Sequence, residues 1–194
     1  MLYSIYAEST PNPEVMKFVA NRMLADISIE VSTMAEAQGI SIAEELLKFP
    51  FVKSIYLSSN FISISKVATI EWENIAMQLR IFIADFLNDK GIKNYTEHLK
   101  ENQKQEANIT TEKKIEFSAK EREIENLLDQ YIKPAVESDG GAITLKSLKG
   151  DVVTVNLKGA CSGCPSATIT LKDGIETLLK EKFHPDIEVK TDEK

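Results

Sequence analysis

The sequence predicts an α+β protein built of two small mixed domains joined by a polar linker. Three observations carry that expectation. Each half mixes β-like runs with stretches of helical periodicity, each half carries a capping-box pattern, and the composition between the halves turns almost wholly polar. A chain of 194 residues has room for one or two domains of ordinary size. The expected division is 1–95, a flexible linker over 96–117, and 118–194.

The first apolar run, Leu2-Tyr3-Ser4-Ile5-Tyr6, is followed by Thr10-Pro11-Asn12-Pro13. Two prolines so close, each restricting the residue before it, predict an ordered, rigid turn. Ser41-Ile42-Ala43-Glu44 has the spacing of a capping box, and Leu46, Leu47 and then Phe49-Pro50 predict a short helix stopped by proline. Phe51 to Leu57 and Phe61 to Ser65 flank Ser58-Ser59-Asn60 and read as a hairpin. The Ser/Ile alternation in Phe61-Ile62-Ser63-Ile64-Ser65 predicts one buried face and one wet face. Trp72, Ile75, Leu79, Phe82, Ile83 and Phe86 recur every three or four residues, which predicts a longer helix ended by Gly91. Trp72, the only tryptophan, is expected in a core or an interface.

From Thr96 to Phe117 the chain is dominated by Glu, Lys, Gln, Asn and Thr, with few apolar anchors, and is expected to be a solvated connector. Ser118-Ala119-Lys120-Glu121 is a second capping box, and Ile124, Leu127, Leu128, Tyr131 and Ile132 are expected on one helical face that Pro134 ends or bends. Ser138-Asp139-Gly140-Gly141 reads as the turn into a strand over Ala142 to Leu148. Lys149-Gly150 then separates it from a strand with Val153, Val155 and Leu157 on one face. Lys158-Gly159-Ala160 leads into the cysteine loop. Pro165-Ser166 reads as a helix start with Ser166 as candidate cap, and Leu171, Ile175, Leu178 and Leu179 form the stripe of that helix. A last strand is expected over about 186–190.

Composition narrows the function. Hydrophobic content of 43% and charged content of 27% are ordinary globular values. With a net charge of −7 and no basic stripe, nucleic acid is not expected as a partner. No run approaches the roughly 18 consecutive apolar residues of a membrane span, and the first residues lack a basic segment followed by an apolar one, so no membrane association and a cytoplasmic location are expected.

The chemistry is concentrated at Cys161-Ser162-Gly163-Cys164, which holds the only two cysteines. Cys-x-x-Cys spacing serves soft-metal sites, iron–sulfur clusters and dithiol redox sites, where two sulfurs must converge. A loop at a helix amino terminus is expected to stabilise thiolates. Gly159, Ala160, Ser162, Ser166 and Ala167 are expected to leave room around the sulfurs, and Gly163 to permit a tight backbone. Zinc and both common cluster types prefer about four protein ligands, so two thiols per chain call for two chains, and a twofold dimer would complete the set. His98 falls in the linker and His184 at a helix end, where an imidazole commonly caps carbonyls; neither is expected to ligate. No paired carboxylates, Ser-His-Asp set, Walker loop or dinucleotide motif points to an enzyme. A dithiol oxidoreductase is the rival, although only one helix and one strand remain after the motif, and a zinc-bridged adaptor is the other.

Pro134-Ala135-Val136-Glu137-Ser138-Asp139-Gly140-Gly141, then Gly159-Ala160-Cys161-Ser162-Gly163-Cys164-Pro165-Ser166, then Thr170-Leu171-Lys172-Asp173-Gly174-Ile175-Glu176, resemble the NifU carboxy-terminal domain of Nfu-type iron–sulfur proteins. The first half resembles the Nfu amino-terminal domain through Glu8-Ser9-Thr10-Pro11-Asn12-Pro13, Lys17-Phe18, Phe61-Ile62-Ser63-Ile64 and Trp72-Glu73. The resemblance implies a non-enzymatic scaffold or carrier. It implies a labile 4Fe–4S cluster, with 2Fe–2S as the alternative, held between two subunits by Cys161 and Cys164. The implied partners are apo iron–sulfur client proteins and upstream cluster-assembly proteins. Where the family more often has an acidic residue, this chain has Ala142. Full NifU has a separate scaffold domain and a ferredoxin-like domain that have no counterpart in this sequence, so downstream carriage is expected rather than assembly with a desulfurase.

Overall fold

The computed structural model describes residues 2–91, 118–162 and 165–192, for residues 165–168 the backbone alone. The chain divides into two compact units, Met1–Lys114 and Ile115–Lys194. The expected linker over 96–117 and His98 lie outside the described residues.

The first unit is a five-stranded antiparallel sheet of β1 (Ile5–Ser9), β2 (Val15–Ala20), β3 (Ala25–Val31), β4 (Val52–Ser59) and β5 (Phe61–Lys66), in the order β1-β2-β5-β4-β3. Ala7, Phe18, Ile62, Leu57 and Ile29 stand in register across it. Phe18, Ile62 and Leu57 share a core with Ile42 and Leu46 of α1 (Ser41–Leu46) and with Ile75, Leu79, Ile83 and Leu87 of α2 (Trp72–Lys90). Helix α2 ends as expected: Gly91, at φ 62°, donates its N–H to Leu87 O at 3.1 Å.

The Thr10–Pro13 turn is tied by its own side chains. Thr10 Oγ1 bonds to Asn12 O and Val15 O, both at 2.9 Å, and Asn12 Oδ1 accepts from Glu14 N at 3.0 Å. Trp72 is the expected packing residue. Its ring meets Phe18 edge-on at 6.4 Å and its Nε1 donates to Pro13 O at 3.0 Å, so the turn is pinned to the start of α2.

Two local expectations in this unit are corrected. Ser41 does not cap α1: Ile40 holds the cap position without a side-chain bond, and Glu44 instead accepts the N–H of Gly39 at 2.9 Å. The serine face of β5 is not wet. Ser63 stands between Lys17 and Tyr56 in register and is 2% exposed. Lys17 Nζ lies 4.7 Å from the ring centre of Phe61, so long neighbouring side chains roof this side of the sheet.

In the second unit the capping box forms. Ser118 Oγ accepts from Glu121 N, and Glu121 Oε2 accepts from Ser118 N at 2.9 Å, starting α3 (Ala119–Leu127). Pro134 bends the helix without ending it: a π-helical turn over Leu128–Ile132 leads into α4 (Lys133–Ser138), with proline in its first turn where an N–H is dispensable. The widened turn changes the helical phase. Tyr131, expected on the buried face, is 45% exposed and stacks under Lys182 Nζ at 5.0 Å.

A three-stranded sheet follows, β6 (Gly141–Lys149), β7 (Val152–Gly159) and β8 (Glu188–Thr191) in that order, with β6 antiparallel and β8 parallel to β7. Helix α5 (Pro165–Lys182) joins β7 to β8. Ile143, Val153, Val155, Val189, Ile124, Leu128, Ile175 and Leu179 form the core. The last strand starts two residues later than expected, since buried Ile187 precedes it as part of the approach.

Candidate functional site

Cys161 stands in the turn where β7 gives way to α5. Gly159, at φ 62°, reverses the chain, and its carbonyl accepts from both the N–H of Ser162 at 3.1 Å and Ser162 Oγ at 3.0 Å. Gly140, at φ 81°, accepts from Ala160 N at 3.2 Å, which ties this turn to the start of β6. Gly141 is the register partner of Gly159. Two glycines therefore face each other where the strands enter the cysteine turn.

The Cys161 side chain is 8% exposed and belongs to the core that includes Val136, Ile143 and Leu157. Burial, with the negative charge of Asp139 as second cause, pushes its thiol up to about 11. The thiolate stabilisation expected of a helix amino terminus is not realised here: Cys161 precedes the helix by four residues and is seated in apolar surroundings. A neutral thiol is a poor nucleophile, so the environment does not favour disulfide exchange. Cys164 and Gly163 lie outside the described residues, so the expected pair is placed by the structure only at Cys161.

Ser166 lies within α5, which starts at Pro165, and not at its cap. Space at Cys161 comes from Gly141: a Cβ there would lie 2.6 Å from Cys161 Sγ and 2.8 Å from Lys158 O. In the sequence Gly140-Gly141 reads as a turn; the doubled glycine is the signal for this close approach. Among the described residues no cluster of three His, Cys, Asp or Glu side chains could hold a metal ion. His184 Nδ1 accepts from Asp186 N at 3.4 Å.

Known domain patterns account for both units. A NifU-like domain matches residues 124–190, and the amino-terminal domain of the scaffold protein Nfu/NifU matches residues 5–90. The human NFU1 iron-sulfur cluster scaffold homolog, mitochondrial, is 31% identical over 186 residues, which take in 95% of this chain and 69% of that protein. The chain belongs to the Nfu family of iron–sulfur cluster scaffolds. Its Drosophila willistoni relative of the same name is also 31% identical, across 95% of this chain and 61% of the relative. The chain thus spans about two thirds of the length of these relatives. Among solved structures, protein SAV1430 from Staphylococcus aureus is similar at 26% identity and a TM-score of 0.35, over 42% of this chain and 96% of that one.

Both cysteines fall inside the NifU-like match. The cytoplasmic location expected from the sequence is corrected by these relatives, which are named as mitochondrial. That expectation rested on the lack of an apolar span and of a basic segment followed by an apolar one, and neither property is peculiar to the cytosol. No helix among the described residues is long and apolar enough to cross a membrane.

Proposed function

We propose that this Nfu chain is a non-enzymatic carrier. Cys161 and Cys164 of two copies bind a labile 4Fe–4S cluster, received from upstream assembly proteins, and deliver it to apo-proteins. The observation that carries the proposal is the ligand count: two thiols per chain, both within the NifU-like match, against the roughly four ligands that clusters prefer. A second copy brings the missing pair, and a site shared across two chains opens when they part. The names of the relatives support the scaffold role.

Delivery then proceeds by ligand exchange. Each iron–sulfur(cysteine) bond broken in the carrier is matched by one formed to a target thiolate, and the proton leaving the target thiol ends on the departing cysteine. Cluster oxidation states are unchanged. The separation into 1–95, a 96–117 linker and 118–194 fits a cluster module tethered to a module that selects partners.

Anaerobic reconstitution with iron and sulfide, read by absorption and Mössbauer spectra, tests the carrier reading. The native chain should show a 4Fe–4S signature with two cysteines per chain engaged, and Cys161→Ser and Cys164→Ser should each lose it. Bound zinc or a ready disulfide with no cluster would overturn it. Removing residues 1–95 should change transfer rates unequally among targets, and equal rates would remove the partner-selection role.

A further inference from the structure

We propose that Gly141 is a positioning residue for the cysteine site: the volume of its missing side chain is the seat of the Cys161 thiol. The inference rests on Cys161 being a cluster ligand.

Gly141 is the first residue of β6 and does not belong to the glycines with positive φ, so its backbone conformation admits any residue. What forbids a side chain is space. An added Cβ meets Cys161 Sγ at 2.6 Å, Lys158 O at 2.8 Å and Cys161 N at 3.0 Å. Ordinary carbon contacts begin near 3.5 Å, so something has to move. Two of the three neighbours are backbone atoms, and the β6–β7 pairing, including Gly141 opposite Gly159, holds that backbone in place. The Ala160 N to Gly140 O bond holds the turn from the other side. The thiol is the one neighbour free to rotate, and rotation takes it out of the pocket it fills in the core. Glycine at 141 thereby fixes where one of the two ligand sulfurs stands, without touching the cargo itself.

At three other glycines an added carbon meets nothing. Gly91 and Gly150 have positive φ but open space, and Gly174 has open space in a helix. Of these four positions 141 alone is crowded, and the crowding falls on Cys161.

The test uses the full chain in a Cys164→Ser background, so that Cys161 is the only thiol, and no cluster is needed. Gly141→Ala should raise the rate of iodoacetamide modification at fixed pH by roughly tenfold, as the sulfur leaves its buried seat, while far-UV circular dichroism stays unchanged. An unchanged rate in the folded variant overturns the proposal. Stability supplies the second arm. Gly141→Ala should lower Tm more when residue 161 is cysteine than in Cys161→Ala, which removes the sulfur. Equal losses in the two backgrounds, including failure of both to fold, overturn it, because backbone crowding alone would then account for the effect. A native chain that takes up no cluster leaves these apo readouts intact, so failure of the carrier reading and failure of this one are separable.

Discussion

Glu121 accepts the backbone N–H of Leu148 through Oε1 at 3.1 Å while its other oxygen accepts from Ser118 N at 2.9 Å. One carboxylate thus closes the amino terminus of α3 and covers an outward N–H of the edge strand β6. The opposite edge is treated alike, since Glu176 Oε2 of α5 accepts from Val189 N of β8 at 3.0 Å. Open edges invite pairing with other chains, and covering them limits that.

The backbone N–H of Ser118, then that of Leu148, hold the Glu121 carboxyl below its ordinary 4.5. A depressed folded value contributes stability above the unfolded value, lost as pH falls through the folded one. Glu121→Gln should therefore lower Tm at pH 7 by only roughly 2 °C, because solvent screens a carboxyl so near the surface. The gap from native should shrink as pH drops below 4.5. Thermal melts followed at several pH values would show it, and a gap independent of pH would contradict the assignment.

Cys161 should resist alkylation in the folded apo chain. Burial first, and Asp139 second, raise the thiol from 9.0 to about 11. Iodoacetamide labelling of Cys164→Ser at pH 8 should run at least about tenfold slower folded than in guanidinium. Because the folded state holds its proton longer, stability should also fall as pH rises from 9.0 toward 11. Equal folded and unfolded rates would show an exposed sulfur.

Trp72→Phe keeps the ring against Phe18 and removes the Nε1 bond to Pro13 O. The expected loss is about 1 kcal/mol, with faster hydrogen exchange at Val15 N, whose bond to Asn12 O closes the same turn. Unaltered exchange there would mean that the turn stands without its anchor to α2.

Glycine substitutions should divide by cause. Gly174→Ala, inside α5 with open space around the added carbon, should stabilise by up to about 1 kcal/mol. Gly150→Ala meets equally open space but a φ of 61°, and should cost about 1 kcal/mol. Chemical denaturation of both variants checks the signs.

The sequence by itself determined what is local in cause. Helix α2 follows from the spacing of Ile75, Leu79, Ile83 and Phe86, and α3 from Ser118 and Glu121, because periodicity and a capping box act within a few residues. The α+β class and the hairpins at Asn60 and Gly150 were equally legible. Where another partner or a change of helical turn competes, local signals gave the wrong answer. Gly39 took the glutamate that would have completed the Ser41 box, Lys17 and Phe61 roofed Ser63, and a π turn before Pro134 rotated Tyr131 into solvent. The setting of the cysteine was decided only in three dimensions. Pairing of β6 with β7 brings Gly141 against Cys161 from twenty residues upstream, so crowding sets the thiol's place, while its burial first and the charge of exposed Asp139 second set its protonation. Such a contact comes from strand register, and register is fixed by packing across the whole sheet.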